Sequence, residues 1–124
     1  MGCIDNQNTF YLGMVKEEDK IDLLKKATFF ASLYVRPLHA VSLAFKQALS
    51  YGCGLLTTPG GQTELFMQNK GVGFLVKNPD DLIRAWVKKD CINQKNCYNI
   101  VESEFSVKIM IDDLRSIFNS INND

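Results

Sequence analysis

The sequence predicts an α/β fold in which helices flank a mostly parallel sheet of about four strands. Two observations support this prediction: short apolar runs alternate with longer segments of helical periodicity, and one of the runs is almost wholly apolar. This alternation is typical of β-α units that stack around a parallel sheet. With 124 residues the chain can bury one core, so we expect a single domain over residues 1–124.

Four short apolar segments are the predicted strands. They cover residues 10–14, 28–34, 54–58 and 73–76. The second is the almost wholly apolar run, which is the pattern of a strand that helices cover on both faces. The third ends at Pro59-Gly60-Gly61, a tripeptide typical of a turn.

Five further segments have helical features, over residues 17–26, about 40–51, 62–69, 79–89 and 105–121. The first begins with three acidic residues and ends with Lys25-Lys26, which suits the helix dipole. Asn78 and Pro79 are typical of an N-cap and a first helical position. The last segment carries a wide apolar stripe, expected to be buried. Residues 90–104 are largely polar, and we expect a linker there.

Composition and charge give no indication of a nucleic-acid or membrane partner. Lys plus Arg and Asp plus Glu number 14 each, so the formal net charge is zero. No apolar run approaches the ~20 residues that a spanning helix needs, and residues 1–5 lack the basic and apolar regions of a signal peptide. We therefore expect a soluble, cytoplasmic protein with no membrane span.

The four cysteines and the single histidine form no metal-binding pattern. Cys3, Cys53, Cys91 and Cys97 include no CxxC pair, and His39 alone cannot complete a zinc ligand set. We expect buried or unreactive thiols and no metal site. A local disulfide between Cys91 and Cys97 stays geometrically conceivable, although it would be unusual in a reducing cytosol.

Four segments between Ser32 and Val76 carry a family resemblance. They are Ser32-Leu33-Tyr34, Gln47-Ala48-Leu49-Ser50-Tyr51-Gly52, Leu55-Leu56-Thr57-Thr58-Pro59-Gly60-Gly61-Gln62-Thr63-Glu64 and Gly71-Val72-Gly73-Phe74-Leu75-Val76, the last followed by Asp80-Asp81. In order and spacing they resemble the donor-site core of the retaining group 1 glycosyltransferases. That core runs from a PS-x-x-E loop through an E-A-x-A-x-G helix and a V-x-A-T-x-x-G-G-x-x-E strand to a G-x-L-V-x-x-x-D strand. The resemblance implies a Rossmann-like domain, namely a partial C-terminal domain of the GT-B fold, truncated at its N-terminal side.

The resemblance also implies that the domain binds a nucleotide-diphosphate sugar, as a substrate rather than a cofactor. A helix whose first N–H groups are unpaired suits a diphosphate, and the helix beginning near His39-Ala40 would be that helix. The family places one glutamate beside the sugar and phosphates and a second against the ribose hydroxyls. Counting back from Gly52, these positions correspond to His39, which is thus the candidate catalytic residue, and to Gln47.

Neither position holds a glutamate in this chain. Gln47 can still bond a ribose, but a neutral hydrogen bond contributes about 0.5–1.5 kcal/mol against about 1.5–3 kcal/mol for a charged acceptor. Donor affinity would then fall by roughly tenfold. A protonated His39 could contact the diphosphate and a neutral one could accept from a sugar hydroxyl. A packing role for His39 stays open.

Further candidate binding residues lie in the loops. Gly60 and Gly61 allow a close approach of backbone to ligand, although an ordinary turn would use the same residues. Glu64 would orient that loop or cap its helix. Arg36 is a candidate phosphate partner or a solvated side chain. The predicted binding residues are therefore Arg36, His39, Ala40, Gln47, Gly60, Gly61 and Glu64.

The family's acceptor-binding domain, and a basic pair that grips the diphosphate, would precede Met1. We therefore expect a donor-binding domain that transfers glycosyl groups only with a partner protein supplying the acceptor half. Apolar surface left by the missing unit predicts a homo-oligomer. Two alternatives stay open: a non-catalytic binding or assembly module descended from a glycosyltransferase, and an unrelated receiver-like domain. The second is disfavoured because no acidic cluster follows the early strands.

Overall fold

The computed structural model describes residues 8–35 and 41–123, and over these ranges the protein is a mixed α/β fold with a small parallel sheet. The strands are β1 Phe29–Ser32, β2 Gly54–Thr57 and β3 Gly73–Leu75. The helices are α1 Glu17–Lys26, α2 Leu43–Ser50, α3 Gly61–Met67, α4 Pro79–Val87, α5 Gln94–Phe105 and α6 Val107–Asn122, with a 3-10 turn at Lys89–Cys91. The predicted α/β class and parallel sheet are confirmed.

The sheet has three strands in the order β1-β2-β3, and both neighbouring pairs are parallel. The strand predicted over residues 10–14, the first of the four in chain order, is wrong, since this segment is irregular. Tyr11 and Met14 in it are almost fully exposed. A strand needs a hydrogen-bonded neighbour, and none of the described strands pairs with these residues.

The main core lies on one face of the sheet. Leu55 of β2 is fully buried there with Phe45 and Leu49 of α2. The rings of Phe30 and Tyr34 meet Phe45 edge to face, at centroid distances of 5.7 and 6.4 Å. α2 thus packs through Phe45 against β1 and against the segment just past it.

The linker predicted for residues 90–104 is wrong for most of its length, because α5 occupies it. Oδ1 of Asn93 caps this helix by accepting from the N–H of Lys95 at 2.9 Å. Cys97 and Ile100, three residues apart and so on one helical face, are buried in the main core. Val101 and Phe105 pack against the same core, so the apolar stripe of α5 has helical spacing but stands among many polar residues.

α4 begins as the sequence predicts. Asn78 is its N-cap and accepts from the N–H of Asp81, while the Asp81 carboxylate accepts from the N–H of Asn78. Ala85 of this helix packs on Leu56 and Val76, on the second face of the sheet. α4 covers that face only in part, since its Ile83 and Trp86 are exposed by 66% and 55%.

α6 matches the predicted C-terminal helix to within two residues, but its apolar stripe is not buried. Every residue from 110 to 123 is exposed. The stripe consists of Val107, Met110, Ile111, Leu114, Ile117, Phe118 and Ile121, each exposed by 39% to 67%. Among the described residues no helix combines the length and apolar character needed to cross a membrane.

Candidate functional site

The carboxyl ends of the three strands lie at one edge of the sheet, because all pairs are parallel. Ligands of open α/β sheets commonly bind outside this edge, where the loops to the following helices begin. The loop after β2 carries Gly60 and Gly61, and the loop after β1 leads to α2. We therefore describe this edge, called the carboxyl edge below, as the candidate site.

Three predicted site residues, Arg36, His39 and Ala40, lie outside the described residues. They belong to the segment between β1 and α2, so their roles stay predictions. The other four, Gln47, Gly60, Gly61 and Glu64, are described, together with both ends of that segment.

A hydrogen bond joins the two loops at the carboxyl edge. The main-chain N–H of Tyr34, just past β1, donates to Oγ1 of Thr58, just past β2, over 3.1 Å. The preceding Thr57 is buried, with 1% of its surface exposed. The loop toward α2 and the loop toward Gly60 are therefore joined by a hydrogen bond where they leave the sheet.

The first turn of α2 begins at the carboxyl edge and has no acidic side chain of its own to offset the helix dipole. Ser42 is the N-cap, and its Oγ accepts from the N–H of Phe45 over 3.2 Å. The turn contains no acidic residue. Because the amino end of a helix carries a partial positive charge, such a turn favours an anionic group.

Gly60 and Gly61 both adopt left-handed backbone conformations, with φ of 102° and 70°. Side chains disfavour these angles, so glycine is required for this turn. The N–H of Gly60 donates to the Glu64 carboxylate on the following helix. Glu64 thus holds the Gly60 peptide, which is the loop-orienting role considered above. The N–H groups of Gly61 and Gln62 belong to the first turn of α3 and have no partner within the helix.

Thr63, next to the glycine turn, has a structural feature that the sequence did not reveal. It lies in the first turn of α3, is 3% exposed, and its Oγ1 has no hydrogen-bond partner among the described residues. A buried hydroxyl without a partner costs about 1–3 kcal/mol. Such groups are rare in folded proteins and often mark functional positions. No sequence pattern distinguishes a threonine between Gln62 and Glu64 from an ordinary helix residue, so the sequence did not indicate that its hydroxyl is buried.

Gln47 projects from α2 toward α1. Its Nε2 donates to Oε1 of Glu17 over 3.1 Å, and Oε2 of Glu17 pairs with Nζ of Lys20 at 2.7 Å. Lys20 first, and then Gln47, lower the pKa of Glu17 below its ordinary value. A glutamate is ionised at neutral pH in any case, and the lowering extends the ionised form to more acidic pH. This contact spans 30 residues of sequence and could not be anticipated from spacing.

Two clefts lie away from the carboxyl edge. One of about 280 Å³ occupies the junction of α5 and α6, between Phe105 and Leu114. The other, of about 290 Å³, lies at the amino ends of β1 and β2, beside Thr28 and Gly52. Neither is lined by a predicted site residue.

The described cysteines are free thiols, so the conceivable bond between Cys91 and Cys97 is not formed. Cys91 is exposed, whereas Cys53 and Cys97 are fully buried. Burial raises the pKa of Cys53 to about 11 and also raises that of Cys97. In the part of the chain that the structure describes, no three His, Cys, Asp or Glu side chains come together as a metal site.

No protein-family model matches the chain, and no curated protein or solved structure does so either. The likeness to group 1 glycosyltransferases accordingly depends on the four sequence segments alone.

Proposed function

We propose that this domain binds a nucleotide-diphosphate sugar at the carboxyl edge, as a glycosyltransferase-like donor domain of the Rossmann-like GT-B type. The observation that carries the proposal is that a helix start without an acidic residue and a turn without side chains both lie at this edge. One is the first turn of α2 behind Ser42, and the other is the Gly60-Gly61 turn before α3. The Tyr34–Thr58 hydrogen bond ties the strand ends from which the two loops depart.

The chemistry of a diphosphate suits this arrangement. Unpaired main-chain N–H groups and the positive end of a helix dipole stabilise phosphate oxygens. The glycine turn adds backbone without side chains, so a ligand can approach it closely. Arg36 and His39 remain predicted contacts to the diphosphate and the sugar, from the segment between β1 and α2.

The nucleoside part of the donor is expected beside Gln47. This residue occupies the position that in the resembling family contacts the ribose, and it is half-buried on the second turn of α2. A glutamine accepts hydrogen bonds through one atom and donates through the other. It therefore retains the ability to bond a ribose hydroxyl, at a lower affinity than a glutamate would give.

Transfer of the sugar requires, in this proposal, a partner protein that supplies the acceptor site. Self-association through a second copy is a further part of the proposal. The exposed α6 stripe supports it, because monomeric proteins rarely leave such a continuous apolar surface in water. The zero net charge means that two copies do not repel one another.

A non-catalytic binding module is the second candidate function, and the substitution at Gln47 favours it. Loss of the charged acceptor would weaken donor binding while the fold stays intact. The two candidates differ in one measurable respect: the module binds nucleotide-sugars, or a protein, without transferring a sugar in any combination of partners.

A thermal-unfolding titration tests the proposal. Uridine and guanosine diphosphates and their sugars would be compared with adenosine diphosphate and with inorganic pyrophosphate. A ligand present at a 100-fold excess over its dissociation constant stabilises the folded protein by about 2.7 kcal/mol. We expect one nucleoside diphosphate to raise the unfolding temperature, and Gln47→Ala to reduce the effect. If no nucleotide changes the unfolding temperature at millimolar concentration, the proposal is wrong.

A further inference from the structure

We infer that Glu17 positions the Gln47 amide so that its carbonyl oxygen faces a nucleotide ribose, and that the two residues together replace a single glutamate at position 47. This inference depends on the proposed function, since it concerns the nucleoside part of the same site. It names Glu17 as a positioning residue that acts through Gln47.

The orientation of the amide follows from the chemistry of its partner. An ionised carboxylate only accepts hydrogen bonds, so the amide must turn its NH₂ group toward Glu17. The 3.1 Å contact joins Nε2 of Gln47 to Oε1 of Glu17, as this requires. The amide carbonyl oxygen then remains available as an acceptor, since the hydrogen bond to Glu17 uses only the NH₂ group. Held in this way, the glutamine side chain offers a hydrogen-bond acceptor, as a glutamate side chain would.

Glu17 is itself held from two sides. Its other oxygen, Oε2, pairs with Lys20 one turn further along α1 at 2.7 Å. Lys20 and Gln47 thus contact the two different oxygens of the carboxylate. The side chain is nevertheless 62% exposed, so replacing it does not open the core.

The helix that carries Glu17 is fixed against α2 by separate contacts. Leu24 of α1 is buried in the main core with Phe45 and Ala48. The ammonium group of Lys25 lies 5.8 Å from the centre of the Tyr51 ring, at the far end of α2. Because these contacts do not involve Glu17, a variant at position 17 alters the Gln47 amide without displacing the helix.

The contact between Glu17 and Gln47 predicts what happens when a glutamate is restored at position 47. Gln47→Glu alone would set two carboxylates in contact, and two like charges at that distance disfavour ionisation of both. Nucleotide affinity should therefore fall in this variant, although it restores the residue type of the resembling family. Exchanging the two residues, as Glu17→Gln with Gln47→Glu, again places one amide beside one carboxylate and should recover the affinity.

The test measures the affinity of the full chain for a nucleoside diphosphate and for its 2′-deoxy form. The variants are Glu17→Ala, Gln47→Glu and the exchange variant, with Glu18→Ala as the control, an acidic residue in the same turn of α1. We expect wild type and control to prefer the ribose form. Glu17→Ala should bind about three- to tenfold more weakly and lose that preference, since one neutral hydrogen bond is at stake.

The outcomes separate this inference from the proposed function. If wild type binds no nucleoside diphosphate, both are overturned. If wild type binds but does not distinguish ribose from deoxyribose, or if Glu17→Ala behaves as wild type, only the role of Glu17 is overturned. Tighter binding by Gln47→Glu than by wild type would also overturn it. Thermal unfolding of each variant shows whether it is folded before affinities are compared.

Discussion

The main-chain N–H of Tyr34 donates to Oγ1 of Thr58 over 3.1 Å, although the two residues are 24 positions apart in the chain. The bond joins the segment that leaves β1 to the segment that leaves β2. This hydrogen bond fixes the distance between the first residues of the loop to α2 and the first residues of the loop to the glycine turn. In the proposed function, a ligand that contacts the α2 start and the glycine turn would depend on this hydrogen bond.

Removing the Thr58 hydroxyl should loosen the carboxyl edge. We expect Thr58→Val to lower the free energy of unfolding by about 1 kcal/mol, because the Tyr34 N–H loses its acceptor. Thr58→Ser keeps the hydroxyl and serves as the control. Urea denaturation measures both variants. Equal stability of Thr58→Val and wild type would mean that the hydrogen bond contributes nothing.

Removing the buried hydroxyl of Thr63 should have the opposite effect on stability. Its Oγ1 has no partner among the described residues, so Thr63→Val replaces an unsatisfied polar atom by a methyl group of similar size. We expect the free energy of unfolding to rise by about 1 kcal/mol. If the Thr63 hydroxyl forms a hydrogen bond with the nucleotide, the affinity for the nucleotide should fall in the same variant.

Thr63→Ser is the matched control, because it keeps the hydroxyl and removes the methyl group. It should be less stable than wild type while retaining affinity. A loss of stability in Thr63→Val would show that the hydroxyl is satisfied in solution.

The cysteines should differ sharply in reactivity. The thiolate is the reactive form, and burial raises the pKa of Cys53 to about 11, so this group is almost wholly protonated at pH 8. In a Cys3→Ser background, we expect a thiol reagent to modify exposed Cys91 rapidly. Cys53 and Cys97 should react only after addition of denaturant. Mass spectrometry of the labelled protein would contradict this expectation if all three reacted at one rate.

The α6 stripe should control self-association. Leu114 lies within it, and Leu114→Glu places a charge on the apolar face without disturbing the core, since residues 110–123 are all exposed. We expect wild type to form a dimer or larger oligomer as concentration rises, and Leu114→Glu to remain a monomer. Sedimentation measures this directly.

Ser116→Glu adds the same charge to the opposite, polar face of α6 and should associate as wild type does. A wild-type protein that stays monomeric at high concentration would contradict the role of the α6 stripe in self-association.

The parts of the fold that could be predicted are those that local chemistry determines. The acidic first turn of α1 and the Asn78–Asp81 capping box are short-range patterns, and the structure has both. The false strand at residues 10–14 had suitable composition, but strand formation depends on a neighbour elsewhere in the chain. α5 was missed because its many Asn, Gln, Lys and Glu residues outweigh the few apolar positions that reach the core.

The same distinction applies to the site. The glycine turn could be predicted, since its residues are adjacent and their conformational preference is local. The contacts of Gln47 with Glu17 and of Tyr34 with Thr58 could not, because they join separate elements. The stripe of α6 was recognised as apolar, yet whether such a stripe is covered is decided by packing and not by periodicity.

The most direct test of nucleotide-sugar binding at the carboxyl edge follows backbone amide resonances by NMR as a uridine or guanosine diphosphate-sugar is added. The account predicts saturable shifts in the first turn of α2 after Ser42, at Gly61 and Gln62, and at the Gln47 side-chain amide. Resonances of α6 should not move. An absence of shifts at millimolar ligand, or shifts confined to the α5–α6 junction, would contradict the account.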